Sequence, residues 1–377
     1  MKWCANRNQL SVSIVSFFLI FFAHNVIASR VEKPLIKPSA AAVAEKPTYR
    51  EATKNSEATK MVMAPVKLLV ADNDSVVVKG YRGKFVYVVN DQLRDVTVQV
   101  SEIDSGESVA SREDWQFSIK KNDNEIQAFI EGPISKQSWN EILLSGRAPG
   151  YFLKITGPSL PLTVVWNEGD ISVADLNADL QVSVQKARVT VLRGVGDIRV
   201  NSIEGAVQLE GRKGEVHIDT YQSVVTVNNV EGRLDLENFT GESKVQGVNG
   251  NVALSTYRGG TRVSDVKGKL EFKNGVSPLF IEKFEGELRG RSGQGAIYAD
   301  VRGEADVRLE SAEGTVNLRL PASGAWVNLG TEEGDLAVPG FLKLTRMQSR
   351  QIRTGRLKGS NSGSVFVRTT SGDIRIK

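Results

Sequence analysis

A small residue recurs every nine positions, without a slip, from Gly169 through Ala178, Ala187, Gly196, Gly205 and onward to Gly286 and Gly295. Eleven of these fifteen positions are Gly and the rest are Ala or Ser. Two residues after each stands an apolar side chain in thirteen of the fifteen units, Ser243 and Thr261 being the exceptions. Four residues after, Val173, Val182, Val191, Val200, Leu209 and Ile218 begin a second apolar series. Apolar residues two apart share one face of a strand, with polar residues facing water between them. Each unit therefore reads as a turn and a short strand, and a Gly at the turn takes positive φ without a Cβ clash. No unit can bury its inner face alone, so neighbours must stack to complete a core. Units this short leave no room for crossover helices. The pattern predicts an all-β chain forming a parallel β-solenoid; the alternative is a meander of Gly-turned antiparallel hairpins.

The seventh position of each unit sets the coil length. Tyr221, Phe239 and Tyr257 lie eighteen apart, and Val230, Val248, Val266 and Phe284 form the alternate series. Stacked side chains should resemble one another, so about 18 residues per coil fits better than twenty-seven, which mixes the two series. Fifteen units would then rise on the order of 36 Å at ~4.8 Å per coil.

Residues 1–28 look like a secretory signal. Lys2 and Arg7 precede an apolar run from Leu10 to Ala23, and Val26, Ile27 and Ala28 offer a small-residue cleavage site. The run is short for a bilayer span, although an uncleaved N-terminal anchor is the alternative. Removing the segment takes two bases from a chain of net charge +4, and near balance gives no argument for nucleic acid. The single Cys, Cys4, lies in the signal. The mature chain then has no disulfide or thiol chemistry, which suits a bacterial envelope better than an animal secreted domain. Residues 29–65, rich in Ala, Lys, Glu, Pro and Thr without periodicity, read as a disordered spacer.

Residues 66–166 read as an irregular β-rich domain. Candidate strands are 67–71, 75–80, 84–89, 96–101, 115–120, 125–130, 151–156 and 161–166, with Trp115, Trp139 and Trp166 as core. A solenoid exposes an open sheet edge at each end, and this domain is expected to cap the first coil. Residues 167–377 read as the solenoid. An irregular basic insertion at about 341–362 interrupts it before the pattern returns at Gly363 and Gly372, and the terminal segment is expected in the last coil.

The blocks GDISV (169–173), GDIRV (196–200), GEVHI (214–218), GDLAV (334–338) and SGSVFVRTTSGDIRIK (362–377) resemble the bacterial putative-adhesin family over roughly residues 66–377. That resemblance implies an exported or membrane-linked β-solenoid of the cell envelope. It brings no catalytic residues with it, and the block 341–362 departs from the family pattern.

Catalytic machinery is hard to assemble. His217 is the only histidine outside the signal, and its place between Val216 and Ile218 turns it to solvent; a hydrolase triad needs a histidine with two partners. The zinc ligand set is missing as well. A calcium ladder would place Asp after each small residue, yet within the fifteen units that slot is Asp only at 170, 179 and 197. Paired carboxylates for glycoside cleavage need a cleft, and residues 169–299 have no insertion from which to build one. No enzyme activity, cofactor or metal is expected.

The sharpest non-repeat feature is Lys343, Arg346, Arg350, Arg353, Arg356 and Lys358, with no acid between the first and last. These six charges suit an anionic ligand such as envelope glycan, lipopolysaccharide or anionic lipid, or another cell-surface component. The alternative is a solvated loop that keeps the solenoid end from stacking on another molecule. Nucleic acid is not expected. The reading is an exported, non-enzymatic envelope β-solenoid, an adhesin or surface-binding rod, placed in the periplasm, on the outer-membrane surface or outside the cell. The rivals are a carbohydrate-active β-helix enzyme and a scaffold that self-associates through its solenoid ends.

Overall fold

The computed structural model describes residues 60–103, 115–137, 140, 149–321, 324–340, 342–347, 350–357 and 363–377. The signal, all of the spacer before residue 60, Trp139 and Lys358 lie outside these residues. The described residues belong to one compact unit, Ser56–Lys377.

The repeat zone forms a parallel β-solenoid. Strands Leu162–Asn177, Leu180–Val195, Ile198–Lys213, Val216–Thr240, Ser243–Arg258, Thr261–Asn274 and Leu279–Ser292 follow one another. Each residue pairs with the one eighteen later, as in Leu162↔Leu180, Ile198↔Val216, Leu234↔Val252 and Leu270↔Leu288. The pairing is parallel throughout, which removes the meander. Each coil holds two nine-residue units that face each other as two walls. Val182, Val200, Ile218 and Leu236 fill the interior from one wall and Val173, Val191, Leu209 and Val227 from the other, all essentially without solvent contact. Full burial of such a side chain contributes about 1.5–3 kcal/mol, so the columns carry most of the stability.

The turns explain the nine-residue beat. Gly214, Gly232, Gly250, Gly268 and Gly286 stack eighteen apart with φ between 126° and 147°. A Cβ on Gly250 would lie 1.9 Å from the Gly232 carbonyl oxygen, so both the backbone angle and the close approach exclude a side chain. A second corner is left-handed whatever residue occupies it: Asp175, Arg193, Gly211, Asn229, Gly247, Asp265 and Lys283 all have φ between 51° and 69°.

Polar residues inside one corner form their own column. Ser202, Thr220, Asn238, Thr256, Asn274, Ser292 and Ser311 are buried; Asn238, Asn274, Ser292 and Ser311 donate to turn carbonyls, while Ser202 and Thr256 bond neighbouring polar side chains. Asn274 Nδ2 donates to the Ser277 carbonyl at 2.7 Å, and Ser292 Oγ donates to that of Gly295 at 2.6 Å. Ser243 is one of the two exceptions to the apolar rule. It faces inward and accepts a bond from Asn238 Nδ2 at 3.0 Å, which meets part of the polar demand of that corner.

At both ends the stacking order departs from the chain order. Strand Ser75–Val89 already forms a coil, since Val76 pairs with Leu162 and Gly83 with Gly169. On its other edge lie Glu125–Pro133 and Gly150–Gly157, through Val76↔Ile126 and Phe85↔Leu153. Antiparallel strands Trp115–Asn122 and Asp95–Ile103 then cover that outer coil. Trp115 and Trp166 are buried there, and Trp166 leans over Gly80.

At the other end the step lengthens to nineteen, as in Glu287↔Asp306 and Ile297↔Val316. Strand Asp306–Ser311 then pairs not with Trp326–Thr331 but with Ser364–Thr369, through Val307↔Val365, and Val365 pairs on its other side with Val327. The segment 363–377 is therefore the penultimate coil, not the last. It fits there because Ala305–Ser311 and Ala325–Thr331 present the same inward apolar pattern to both of its edges. The basic segment is not a loop but two antiparallel strands, Lys343–Met347 and Arg350–Arg356, laid on the edge of Trp326–Thr331.

Candidate functional site

The hairpin pattern splits the basic residues. Strand alternation turns Arg350 and Arg356 to one side and Arg353 to the other. Arg350 pairs with Glu332, its Nε donating at 2.7 Å. Arg356 and Lys343 are exposed. Arg353 pairs in register with buried Leu329, and its guanidinium donates to the Leu342 carbonyl at 3.0 Å. Arg346 lies on strand Lys343–Met347. The hairpin thus spreads its charges over two sides and commits one of them to the fold.

A longer surface runs along one flank of the solenoid. Tyr221, Phe239 and Tyr257 stack with ring centroids 5.1 and 5.0 Å apart and planes within 5° and 16° of parallel. Their edges stay open to water, each ring residue being 42–58% exposed. The column then loses its side chains at Gly275 and Gly293. Neither glycine adopts a positive φ, so their role is to leave space: a Cβ on Gly275 would strike the Tyr257 ring at 2.6 Å. Beside this column a second one points outward, with Asp219, Glu237, Ser255, Lys273 and Arg291 one coil apart. The two columns line a groove that meets, at Arg291 and Ser292, a second groove edged by Glu310, Arg350 and Arg368.

The charges there differ from those elsewhere on the solenoid. On other flanks several acids and bases pair coil to coil, as in Lys213–Glu231 at 2.7 Å, Arg193–Asp175 at 2.7 Å and Lys267–Glu285 at 3.4 Å. Among the described residues, Asp219, Glu237 and Lys273 have no side-chain hydrogen bond or ion pair. Arg291 bonds Glu310 at 3.0 Å. Further along, Arg308 and Arg368 lie over the Phe366 ring at 5.3 and 4.2 Å. Burial, and then the charge of Arg350, hold the Arg368 guanidinium below the usual arginine range.

In the sequence Tyr221, Phe239 and Tyr257 mark only the period. The outward column and the glycine gap appear only once residues are aligned by eighteen instead of nine. Arg212, with no signal in the repeat to single it out, is 1% exposed. The Arg212 guanidinium donates to the carbonyls of Leu176, of Ala178 at 2.7 Å and of Gly196 at 3.0 Å. It passes beneath Gly194, where a Cβ would block it. Burial lowers its pKa, while Asp179 and Asp197 oppose that shift. His217 is half-buried on the wall beside Asp235. No group of three or more His, Cys, Asp or Glu suited to a metal ion occurs among the described residues. No helix among them is long and apolar enough to cross a membrane.

No curated protein matches the chain. Solved structures similar to it include a putative cell adhesion protein from Clostridium sporogenes, at 12% identity over 83% of this chain and 98% of that one, with a TM-score of 0.19. Another is a putative adhesin from Bacteroides fragilis, at 12% identity over 83% and 96%, with a TM-score of 0.26. A third is a putative adhesin from Parabacteroides distasonis, at 14% identity over 68% and 98%, with a TM-score of 0.29. Overlays this poor carry no argument about function. The family match is of another kind, because it spans residues 87–377 and so takes in the parallel coils, the outward columns and the basic hairpin. The chain belongs to the Toastrack DUF4097 family.

Proposed function

We propose that this protein is an exported, non-enzymatic solenoid of the cell envelope that holds a surface component through repeated weak contacts, in the manner of an adhesin. The observation that carries the reading is the regular repetition of exposed groups, such as the 5.1 and 5.0 Å steps of the aromatic column. A surface of this kind gains affinity by engaging several equivalent groups at once rather than by enclosing one small molecule. The antiparallel strands over both ends favour a molecule that does not polymerise end to end. The basic hairpin would add contacts to an anionic surface through Lys343, Arg350 and Arg356, with Arg353 serving the fold.

Two measurements test this. Fractionation of cells carrying an epitope-tagged chain should place it in the envelope or medium. Purified protein should sediment with envelope fragments, and Arg350→Glu with Arg356→Glu should weaken that binding several-fold. A tag confined to the cytoplasm, or protein that stays in the supernatant at all concentrations, would overturn the proposal.

A further inference from the structure

We infer that the flank groove from Tyr221 to Arg291 is a binding site for an acidic glycan strand, with sugar rings against the aromatic column and a carboxylate at Lys273 and Arg291. The inference rests on the adhesive reading above and specifies its ligand. Three features lead to it. First, the stacked rings cover one another's faces except at the end of the column, where Tyr257 looks onto Gly275 and Gly293. Two coils without side chains leave a notch there. At Gly293 the atoms nearest a Cβ would all be backbone, the Gly275 carbonyl oxygen at 3.0 Å and carbon at 3.7 Å and the Asn274 oxygen at 4.0 Å, so no side chain crowds the position. An apolar sugar face fits against the open edges of such a ring wall, and the Arg258 guanidinium lies 5.6 Å from the Tyr257 ring centre.

Second, the charges change sign along the outward column, from Asp219 and Glu237 through Ser255 to Lys273 and Arg291. The carboxylates accept hydrogen bonds from hydroxyl groups, and the two cations attract a carboxylate. A polymer carrying a phosphate at every unit would meet Asp219 and Glu237 as like charges. A glycan in which hydroxyl-rich neutral sugars alternate with uronic acids meets each group with its complement. Third, Asp219, Glu237 and Lys273, neighbours in one column, lack side-chain partners among the described residues, whereas several acids and bases elsewhere pair coil to coil, as Lys186–Glu204, Lys213–Glu231 and Lys267–Glu285 do. Unpaired charges cost little in water and are available to a ligand.

The test is a titration of the full chain with a hyaluronan octasaccharide, which alternates uronic acid with a neutral sugar. Its carboxyl-reduced form and a single-stranded oligonucleotide of similar length are the comparison arms. The wild type should bind the octasaccharide at least tenfold more tightly than either. Lys273→Glu with Arg291→Glu should remove most of that preference, and Tyr257→Ala and Gly293→Leu should each weaken binding about tenfold. Gly293→Leu fills the notch while leaving every charge in place, and circular dichroism melts check that each variant is folded. No octasaccharide binding, equal binding by the folded variants, or tighter binding of the oligonucleotide would each overturn the inference. Envelope sedimentation separates the two readings. If Tyr257→Ala and Lys273→Glu proteins bind envelope fragments as the wild type does, the groove is wrong and the adhesive reading stands. If the wild type itself fails to sediment, the adhesive reading fails, and the titration alone decides the groove.

Discussion

The middle of the solenoid and its two ends solve the same packing problem differently. Between residues 162 and 299 every coil lies on the one before it in sequence, at a fixed step of eighteen. Before residue 162 and after residue 319 the next coil in space is not the next in sequence. Ser75–Val89 sits between the pair Glu125–Pro133 and Gly150–Gly157 on one edge and Leu162–Asn177 on the other, and 363–377 sits between 305–319 and 324–338. The middle is held by local repetition. The ends are held by long-range insertion, and each end finishes in antiparallel strands that cannot template another coil. Adding coils is easy for a repeat; stopping requires the chain to leave the repeat and return.

If that contrast is correct, removal of residues 363–377 should have the largest effect. It takes out an interior layer, so 326–331 loses its parallel partner and 306–311 its neighbour. Hydrogen exchange should show lost protection across 306–357 with residues 180–290 unchanged. Retained protection at 326–331 would show that the inserted layer is dispensable. Next comes Arg212→Ala in the middle, which leaves three inward carbonyls without a donor and should cost about 3 kcal/mol in chemical denaturation. A loss under about 1 kcal/mol would mean that water replaces the guanidinium. Then Gly250→Ala, whose Cβ meets a carbonyl oxygen at 1.9 Å, should cost about 2–3 kcal/mol. Gly340→Ala near the end, where a Cβ has nothing within 4 Å, should stay within about 0.5 kcal/mol. Equal effects at the two glycines would erase the difference between regions. The smallest change is expected for Lys283→Gly. Relief of a left-handed residue at φ 54° offsets the added chain entropy and the lost pair with Asp265, leaving a net change of roughly 0.5 kcal/mol or less.

Most of the middle was legible from residues alone, because the turn column needs Gly and the inner columns need apolar groups at a fixed step. Tyr221, Phe239 and Tyr257 fixed the coil length correctly, since a stacked ring wants another ring beneath it. Ser243 looks like a lapse in the rule because its reason is spatial, in the inner polar corner around Asn238; nothing in the structure explains Thr261, whose buried hydroxyl finds no partner among the described residues. The strands before residue 162 were located, but not their place in the stack. Val76 and Leu162 share an inward position with eighty-five residues between them, and no periodicity spans that distance. The same holds for 363–377, whose GSVFV and GDIRI blocks show that it forms a coil without showing between which two. At the candidate site, charge density drew attention to Arg350, Arg353 and Arg356, yet Arg353 turned inward because strand alternation, not charge, decides which way a side chain points. The groove residues are spread over five coils and carry no density in one dimension, so only the stack brings them together.

The eighteen-residue step also constrains how such a molecule can change its length. Losing or gaining a single residue inside the middle would slide every following layer out of alignment unless a loop absorbs it, as happens once between Phe284 and Asp306. Duplicating or excising one whole layer keeps all neighbours matched. Inheritance should therefore lengthen or shorten this protein in quanta of one layer, about 4.8 Å at a time, while its two terminations stay as they are.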